Sequence, residues 1–332
     1  LKNILITILI LISIPVFPDN INVYFTRPGY KINSINPGIG LLKLIRQSRK
    51  AFYGAFYDID LPELARELII AHRRGVDIRL VTDDKNFSGS SIDALLKEGI
   101  PVITDNKSSL MHNKFAISDF HTIFTGSYNA TKNGTFKNNN NAVIIDSDEL
   151  AEIYLQEFQE MFGGHIFSNK QERGLYASLT KKYHVKLNDS DVNVYFSPDD
   201  NVERIILKRI KKAKKSIRFM YFSFTSKAVA NELIKAHKKG IEVKGLMEKR
   251  GTGSRYSQYV KMSLEGIPVK LDRNRYIMHH KVIIIDDHRV ITGSYNMSKN
   301  AAKRNDENIL IIDNNNIAAK FIREFNRLYG IR

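Results

Sequence analysis

Two histidines in this chain each stand two residues before a lysine and seven before an aspartate. The first set is His112, Lys114 and Asp119; the second is His279, Lys281 and Asp286. On a β-strand, a two-residue spacing puts both side chains on one face. The residues that follow, Phe-Ala-Ile and Val-Ile-Ile-Ile, are apolar at every position and read as a strand buried on both faces. A lysine at the mouth of such a strand is costly unless it meets an anion, and a phosphate would supply one. Asp119 and Asp286 end these strands and could pair with a histidine or a lysine. After a further short strand each set continues as Gly-Ser-Tyr-Asn, with Ser127 and Asn129 in the first copy and Ser294 and Asn296 in the second. The glycine permits a tight turn. The hydroxyl and carboxamide are short polar groups able to hold phosphate oxygens. A lone H-x-K is usually surface decoration and a lone G-S-x-N usually a turn. The joint pattern H-x-K-x4-D-x6-G-S-x-N, present twice, points to one phosphate-handling site.

The elements that must position these groups are also duplicated. Asn22-Val23-Tyr24-Phe25 recurs as Asn193-Val194-Tyr195-Phe196, the helical stretch from Glu67 recurs from Glu232, and Gly99-Ile100-Pro101-Val102 recurs as Gly266-Ile267-Pro268-Val269. The order is the same throughout. The halves run over residues 19–167 and 191–332, joined by a polar, lysine-rich stretch at 168–190 that reads as a linker, with a partner helix as the alternative. Each half alternates strand and helix: strands at 51–57, 77–81, 101–104, 114–117, 122–125 and 142–146, with helices at 61–74 and at the end of the half. Matching segments follow in the second copy. Gly75 and Gly240 follow basic helix ends, as a C-terminal cap should. The pattern is α/β, with helices covering a mixed sheet.

Composition bounds the partners. Lys+Arg 51 against Asp+Glu 35 gives +16, with a pI near 9.7, which favours nucleic acid, acidic lipid head groups or phosphorylated substrates. Cysteine is absent, which excludes disulfides, thiol catalysis and cysteine-based zinc sites. No H-x-H, H-E-x-x-H or clustered aspartate pattern suggests a metal, and no cofactor is expected. Lys2 precedes an apolar run from Ile4 to Val16. Residues 1–18 therefore read as a signal peptide or an uncleaved anchor that brings the N-terminus to a membrane and exports the rest.

At these residues the chain resembles the phospholipase D superfamily, and in its compact halves the small bacterial nuclease branch. The resemblance implies two tandem α-β-α sandwich halves packed as a pseudo-dimer, with a single site between them in a monomer. It also implies a two-step reaction. One histidine attacks phosphorus to form a phosphohistidine; the other protonates the leaving alcohol and then activates water. Lys114, Lys281, Asn129 and Asn296 would stabilise the phosphoryl oxygens, and Asp119 and Asp286 would hold the site by hydrogen bonds and salt bridges. Glu307 stands where family members often place an acidic residue supporting the opposite histidine, whereas the first half has Asn140 there. That difference favours His112 as the nucleophile. The expected substrate is nucleic acid. Phospholipid is the alternative, and an inactive nucleic-acid-binding module the third reading.

Overall fold

The computed structural model describes residues 21–29, 35–168 and 183–330; the apolar segment at 1–18 lies outside them. The first half comprises β1 (Ile21–Phe25), α1 (Pro37–Gln47), β2 (Ala51–Phe56), α2 (Pro62–Arg73), β3 (Asp77–Thr82), α3 (Ser90–Lys97), β4 (Val102–Thr104), β5 (Lys114–Ser118), β6 (Thr122–Gly126), α4 (Lys132–Phe136), β7 (Asn141–Asp146) and α5 (Asp148–Phe162). The second comprises β8 (His184–Leu187), β9 (Ser190–Ser197), α6 (Val202–Ile210), β10 (Ser216–Tyr221), α7 (Lys227–Lys238), β11 (Glu242–Met247), α8 (Tyr259–Leu264), β12 (Val269–Leu271), β13 (Lys281–Ile285), β14 (Arg289–Gly293), α9 (Lys299–Lys303), β15 (Glu307–Asp313) and α10 (Asn315–Tyr329).

The first sheet runs β1-β7-β6-β5-β2-β3-β4 and the second β8-β9-β15-β14-β13-β10-β11-β12. The two orders superpose strand for strand, apart from β8, which adds an edge strand. It falls inside the stretch expected to be linker. The reason is local: His184-Val185-Lys186-Leu187 alternates exposed and buried residues, and its hairpin partner β9 covers the apolar ones. In each sheet β2–β3–β4 or β10–β11–β12 pair in parallel and the rest antiparallel.

One face of each sheet is covered by its own α1–α3 or α6–α8 helices, with separate cores beneath them. The other faces share a single core into which α5 and α10 pack. Phe25 of the first half meets Phe321 of the second edge to face at 5.2 Å, and Phe115 approaches Phe196 at 6.4 Å. Each half is thus a sheet between helix layers, and the halves are fused through apolar surface that water cannot reach. The continuous apolar runs of β5 and β13 are buried at every position. They place the residues just before them, His112 and His279, at the sheet ends where the halves meet.

Candidate active site

Each histidine is held by the opposite half. The His112 backbone N–H donates to the Asp306 carbonyl at 2.9 Å, and the His279 N–H donates to the Asn139 carbonyl at 2.8 Å. Beneath these bridges, His112 Nδ1 lies 2.7 Å from Glu307 Oε2, and His279 Nδ1 lies 2.9 Å from Asn140 Oδ1 and 3.0 Å from the Ser127 carbonyl. A carboxylate and a carbonyl only accept, so Nδ1 is the protonated nitrogen in both rings and Nε2 keeps its lone pair. The Asn140 amide is oriented by its other bonds: its Nδ2 donates to the Gly134 carbonyl at 3.1 Å, leaving Oδ1 for His279. The two histidines belong to one site, assembled across the pseudo-twofold axis.

Ser127 and Ser294 serve this support layer. Ser294 Oγ donates to Glu307 Oε2 at 2.7 Å and accepts the Asn308 N–H at 3.0 Å; Ser127 Oγ donates to Asn140 Oδ1 at 3.1 Å and accepts the Asn141 N–H at 3.1 Å. The glycines before them bring β6 and β14 against the neighbouring strand. A Cβ on Gly126 or Gly293 would sit 2.4 or 2.2 Å from the carbonyl oxygen of Asn141 or Asn308. Asn129 and Asn296 differ from the serines. The Oδ1 of each is buried without a hydrogen-bond partner among the described residues; an amide oxygen only accepts, so the Nδ2 of each is the atom that could donate to a phosphate oxygen.

The lysines are fully buried for their length, Lys114 at 0% and Lys281 at 1% exposure. Each ammonium donates to the backbone carbonyl of its own histidine, at 2.8 and 3.0 Å, and lies over an aromatic ring, Tyr57 at 5.1 Å and Phe222 at 5.3 Å. Burial pushes Lys114 down to about 7, against the pull of Glu307, Asp58 and Asp83. Burial, then the charge of Lys114, lowers Lys281 well below the usual lysine range. His112 is lowered to about 4, chiefly by burial and with help from both lysines, while Glu307 opposes the shift. Burial, then the charges of Lys281 and Lys114, lowers His279 well below its usual range, with no carboxylate to oppose them. Two depressed ammonium groups beside two neutral imidazoles form a cleft that gains from accepting an anion.

Asp119 and Asp286 are not part of this cluster, contrary to the expectation that they pair with a histidine or lysine. They sit past the far ends of β5 and β13. There Asp119 accepts the backbone N–H groups of Arg49, Lys50 and Ala51 at 2.7–3.0 Å, and Asp286 those of Lys214, Lys215 and Ser216 at 2.7–3.1 Å. A five-residue strand spans roughly 17 Å, too far for contact with the histidine at its other end. These carboxylates fasten the turns into β2 and β10.

Several residues of the site carry no sequence motif. Asp83 Oδ2 accepts the Met111 N–H at 3.0 Å and Glu248 Oε2 the Met278 N–H at 2.7 Å, fixing the segment that enters each histidine. Tyr57 and Phe222 wall the imidazoles at ring distances of 4.9 and 5.1 Å. Asp58, pushed up to about 6 by burial and by Asp60, feels the charge of Lys114. Among the described residues one acidic group has ligand-like spacing, Asp83, Asp84 and Asp105. Both Asp83 oxygens and Asp105 Oδ1 accept the backbone N–H groups of Lys85, Met111 and Asp84, while Asp105 Oδ2 is buried without a hydrogen-bond partner among the described residues.

A family profile described as "Cardiolipin synthase, PLD-like domain" matches residues 41–162 and again residues 206–329. The chain belongs to the phospholipase D superfamily. It is a phosphodiesterase of that superfamily, and its halves are two tandem copies of the superfamily's domain. It is 31% identical over 168 residues to "Phospholipase D" of Rickettsia prowazekii (strain Madrid E), spanning 51% of this chain and 80% of that protein. It is 35% identical over 124 residues to "Mitochondrial cardiolipin hydrolase" of Xenopus tropicalis, spanning 37% of this chain and 59% of that one. The crystal structure of phosphatidylserine synthase from Haemophilus influenzae Rd KW20 superposes with a TM-score of 0.69 over 92% of this chain and 85% of its own. At 13% identity that likeness concerns the fold, which in this phospholipase D-like chain carries both halves.

Proposed function

We propose that this phospholipase D-like chain hydrolyses nucleic-acid phosphodiester bonds through a phosphohistidine on His112. In the first step His279 enters as the imidazolium, its Nε2 having taken a proton from solvent as the anionic phosphate binds; His112 Nε2 attacks phosphorus while the bond from phosphorus to the leaving oxygen breaks, and His279 Nε2 gives that proton to the leaving oxygen. In the second, His279 takes a proton from water, the resulting hydroxide oxygen bonds to phosphorus, and the P–N bond returns its electron pair to His112. Splitting the displacement in two lowers each barrier. Lys114, Lys281, Asn129 and Asn296 receive the charge on the non-bridging oxygens. Glu307 supports the assignment of His112: its carboxylate offsets the positive charge that the imidazole acquires on bonding to phosphorus, whereas Asn140 offers His279 only an amide oxygen.

The substrate class rests on one observation, the cationic rim over a narrow opening. His112 and His279 are only 7% and 8% exposed. The surrounding loops carry Lys107, Lys137, Arg250 and Arg304 at the surface. Arg304 donates to Ser108 at 2.9 Å, and Lys137 lies 5.3 Å over the Tyr276 ring. Such a rim suits a charged backbone whose phosphate reaches down to the imidazoles. A phospholipid reading is favoured by a different feature. Tyr256, Val260 and Leu264 are exposed at 57%, 55% and 83% beside Arg255 and Lys261, an arrangement suited to a lipid surface. The two curated relatives named above also carry lipid-directed names. The test is the purified chain assayed in parallel on single- and double-stranded DNA, RNA, and phosphatidylcholine and cardiolipin vesicles, with and without EDTA. Metal-independent cleavage of nucleic acid supports the reading. Head-group release alone replaces it with the lipid one. We also place the catalytic part outside the cytoplasm, on the apolar run at 4–16. Among the described residues no helix is long and apolar enough to cross a membrane. Cell fractionation of the full chain tests this, and purely cytosolic recovery contradicts it.

A further inference from the structure

The internal repeat makes each flank of the cleft a control for the other. On the second-half flank a cavity of about 640 Å³ opens beside Asn139, the residue whose carbonyl accepts the His279 N–H. Its wall includes Lys270, Arg273, Arg275, Tyr276 and Arg327. Lys270 is bonded to the Tyr329 carbonyl at 3.0 Å and Arg327 is paired with Glu324 at 2.6 Å. Arg273 and Arg275 are exposed and form no ion pair with a described residue. The acidic residue in the wall, Asp272, is 5% exposed and turned to the backbone, accepting the N–H groups of Lys249 at 3.1 Å and Asn274 at 2.8 Å. Its charge holds the loop that presents the arginines.

The opposite flank lacks the equivalents of these four cations. The offset of 167 residues that relates His279 to His112 takes Lys270, Arg273, Arg275 and Arg327 to Ile103, Asn106, Ser108 and Glu160. It takes Asn139's partner position to Asp306, whose carboxylate accepts the Ser168 backbone N–H at 2.8 Å and faces the Ser168 hydroxyl at 3.3 Å. Ser168 occupies that side at Asp306, and the cations there, Lys107 and Arg304, are exposed on separate segments, Arg304 being bonded to the Ser108 hydroxyl at 2.9 Å.

We propose that the cavity is a phosphate subsite, taking a backbone phosphate of a bound single strand on one side only of the scissile bond. The proposal rests on the nucleic-acid reading above and names where the substrate's longer arm lies. Two guanidinium forks in a concave wall match phosphate oxygens in geometry and focus the local field. Tyr276, 37% exposed and capped by the Lys137 ammonium, offers a face on which a base can stack.

The test is fluorescence anisotropy with the whole chain and a labelled single-stranded oligonucleotide of about ten nucleotides, with melting curves to verify folding. R273A/R275A is expected to weaken binding about tenfold or more and to flatten the salt dependence by about 1.4 in log–log slope. K107A/R304A removes the same charge from the other flank and is expected to weaken binding at least several-fold less. Equal losses from the two pairs overturn the proposal, as does unchanged binding in R273A/R275A. Phosphatidylcholine–cardiolipin vesicles form a second arm. Arginine-dependent vesicle binding with no oligonucleotide binding overturns the proposal and gives the cavity to a lipid head group. An oligonucleotide that binds through the arginines but is never cut supports the subsite and refutes the nuclease reading.

Discussion

The two half-sites share a backbone and differ, directly behind the histidines, in one atom type. Behind His112 stands Glu307, fully buried and hydrogen-bonded by Ser294; behind His279 stands Asn140, fully buried and hydrogen-bonded by Ser127. Strand order, glycine contact, serine bridge and lysine placement are repeated in both copies. A duplicated scaffold thus keeps the geometry of a symmetric site while a carboxylate on one side and a carboxamide on the other set different electrostatics for the two imidazoles. The lesson is that the roles of the histidines are divided beneath them, in the support layer.

The largest effect on this comparison is expected from Glu307→Gln, which makes both supports amides. The loss of the charge behind His112 should lower kcat about 100-fold or more on a phosphodiester, with the melting temperature retained or raised because a buried charge has gone. Steady-state kinetics with a melting curve check it, and near-normal turnover would mean that the carboxylate only packs. The reciprocal change, Asn140→Glu, should raise the affinity of His279 for its proton. The alkaline limb of the pH–rate profile should then move up by about one unit for a substrate with a poor leaving group. An unmoved limb would remove His279 from the acid role.

A smaller effect concerns the lysines, which the halves share. Lys114 is pushed down to about 7, so at pH 8 it is mostly neutral. A bound phosphate analogue favours its charged form, and binding should take up protons from solution. Calorimetry in two buffers of different ionisation enthalpy measures the uptake; proton release on binding would contradict the charge assignment. The same depressed values mean that the unfolded chain binds more protons than the folded one. Stability should therefore fall as pH drops from 6.5 towards 4, where His112 titrates.

The smallest expected effect is outside the site. Asp119→Asn and Asp286→Asn should each cost about 1–2 kcal/mol of stability through weakened backbone hydrogen bonds, with kcat within a few-fold of the parent chain. The Asp286 carboxylate is held below its usual range by three backbone donors despite partial burial. Its contribution is present at neutral pH and is lost as pH falls below the ordinary aspartate range. Denaturant titration and kinetics on the same samples separate the two readouts.

This last pair marks where the sequence was legible and where it was not. The duplicated motif exposes His112, Lys114, His279 and Lys281 as one set, and the aligned halves expose Asn140 opposite Glu307, because repetition carries that information without any distance. Spacing along the chain does not say which end of a strand faces the cleft, so Asp119 and Asp286 read as partners of the histidines although they fasten the far ends. Asp58 follows β2, Asp83 follows β3 and Glu248 follows β11, and they reach the site because the parallel pairing of these strands brings their ends beside the histidines, which no local pattern reveals. The eight-residue α3 and six-residue α8 are too short for helical periodicity to stand out.

The central claim is that one site spans both halves, with His112 as the nucleophile and His279 as the proton carrier. The direct measurement is chemical trapping with bis(4-nitrophenyl) phosphate, whose nitrophenolate leaves without protonation. In His279→Ala the first step should proceed and the second stall, so that quenched protein carries an acid-labile phosphoryl adduct on His112 together with a burst of nitrophenol. His112→Ala should give neither burst nor adduct. An adduct on His279 in the His112→Ala protein, or full turnover in both variants, would contradict the account.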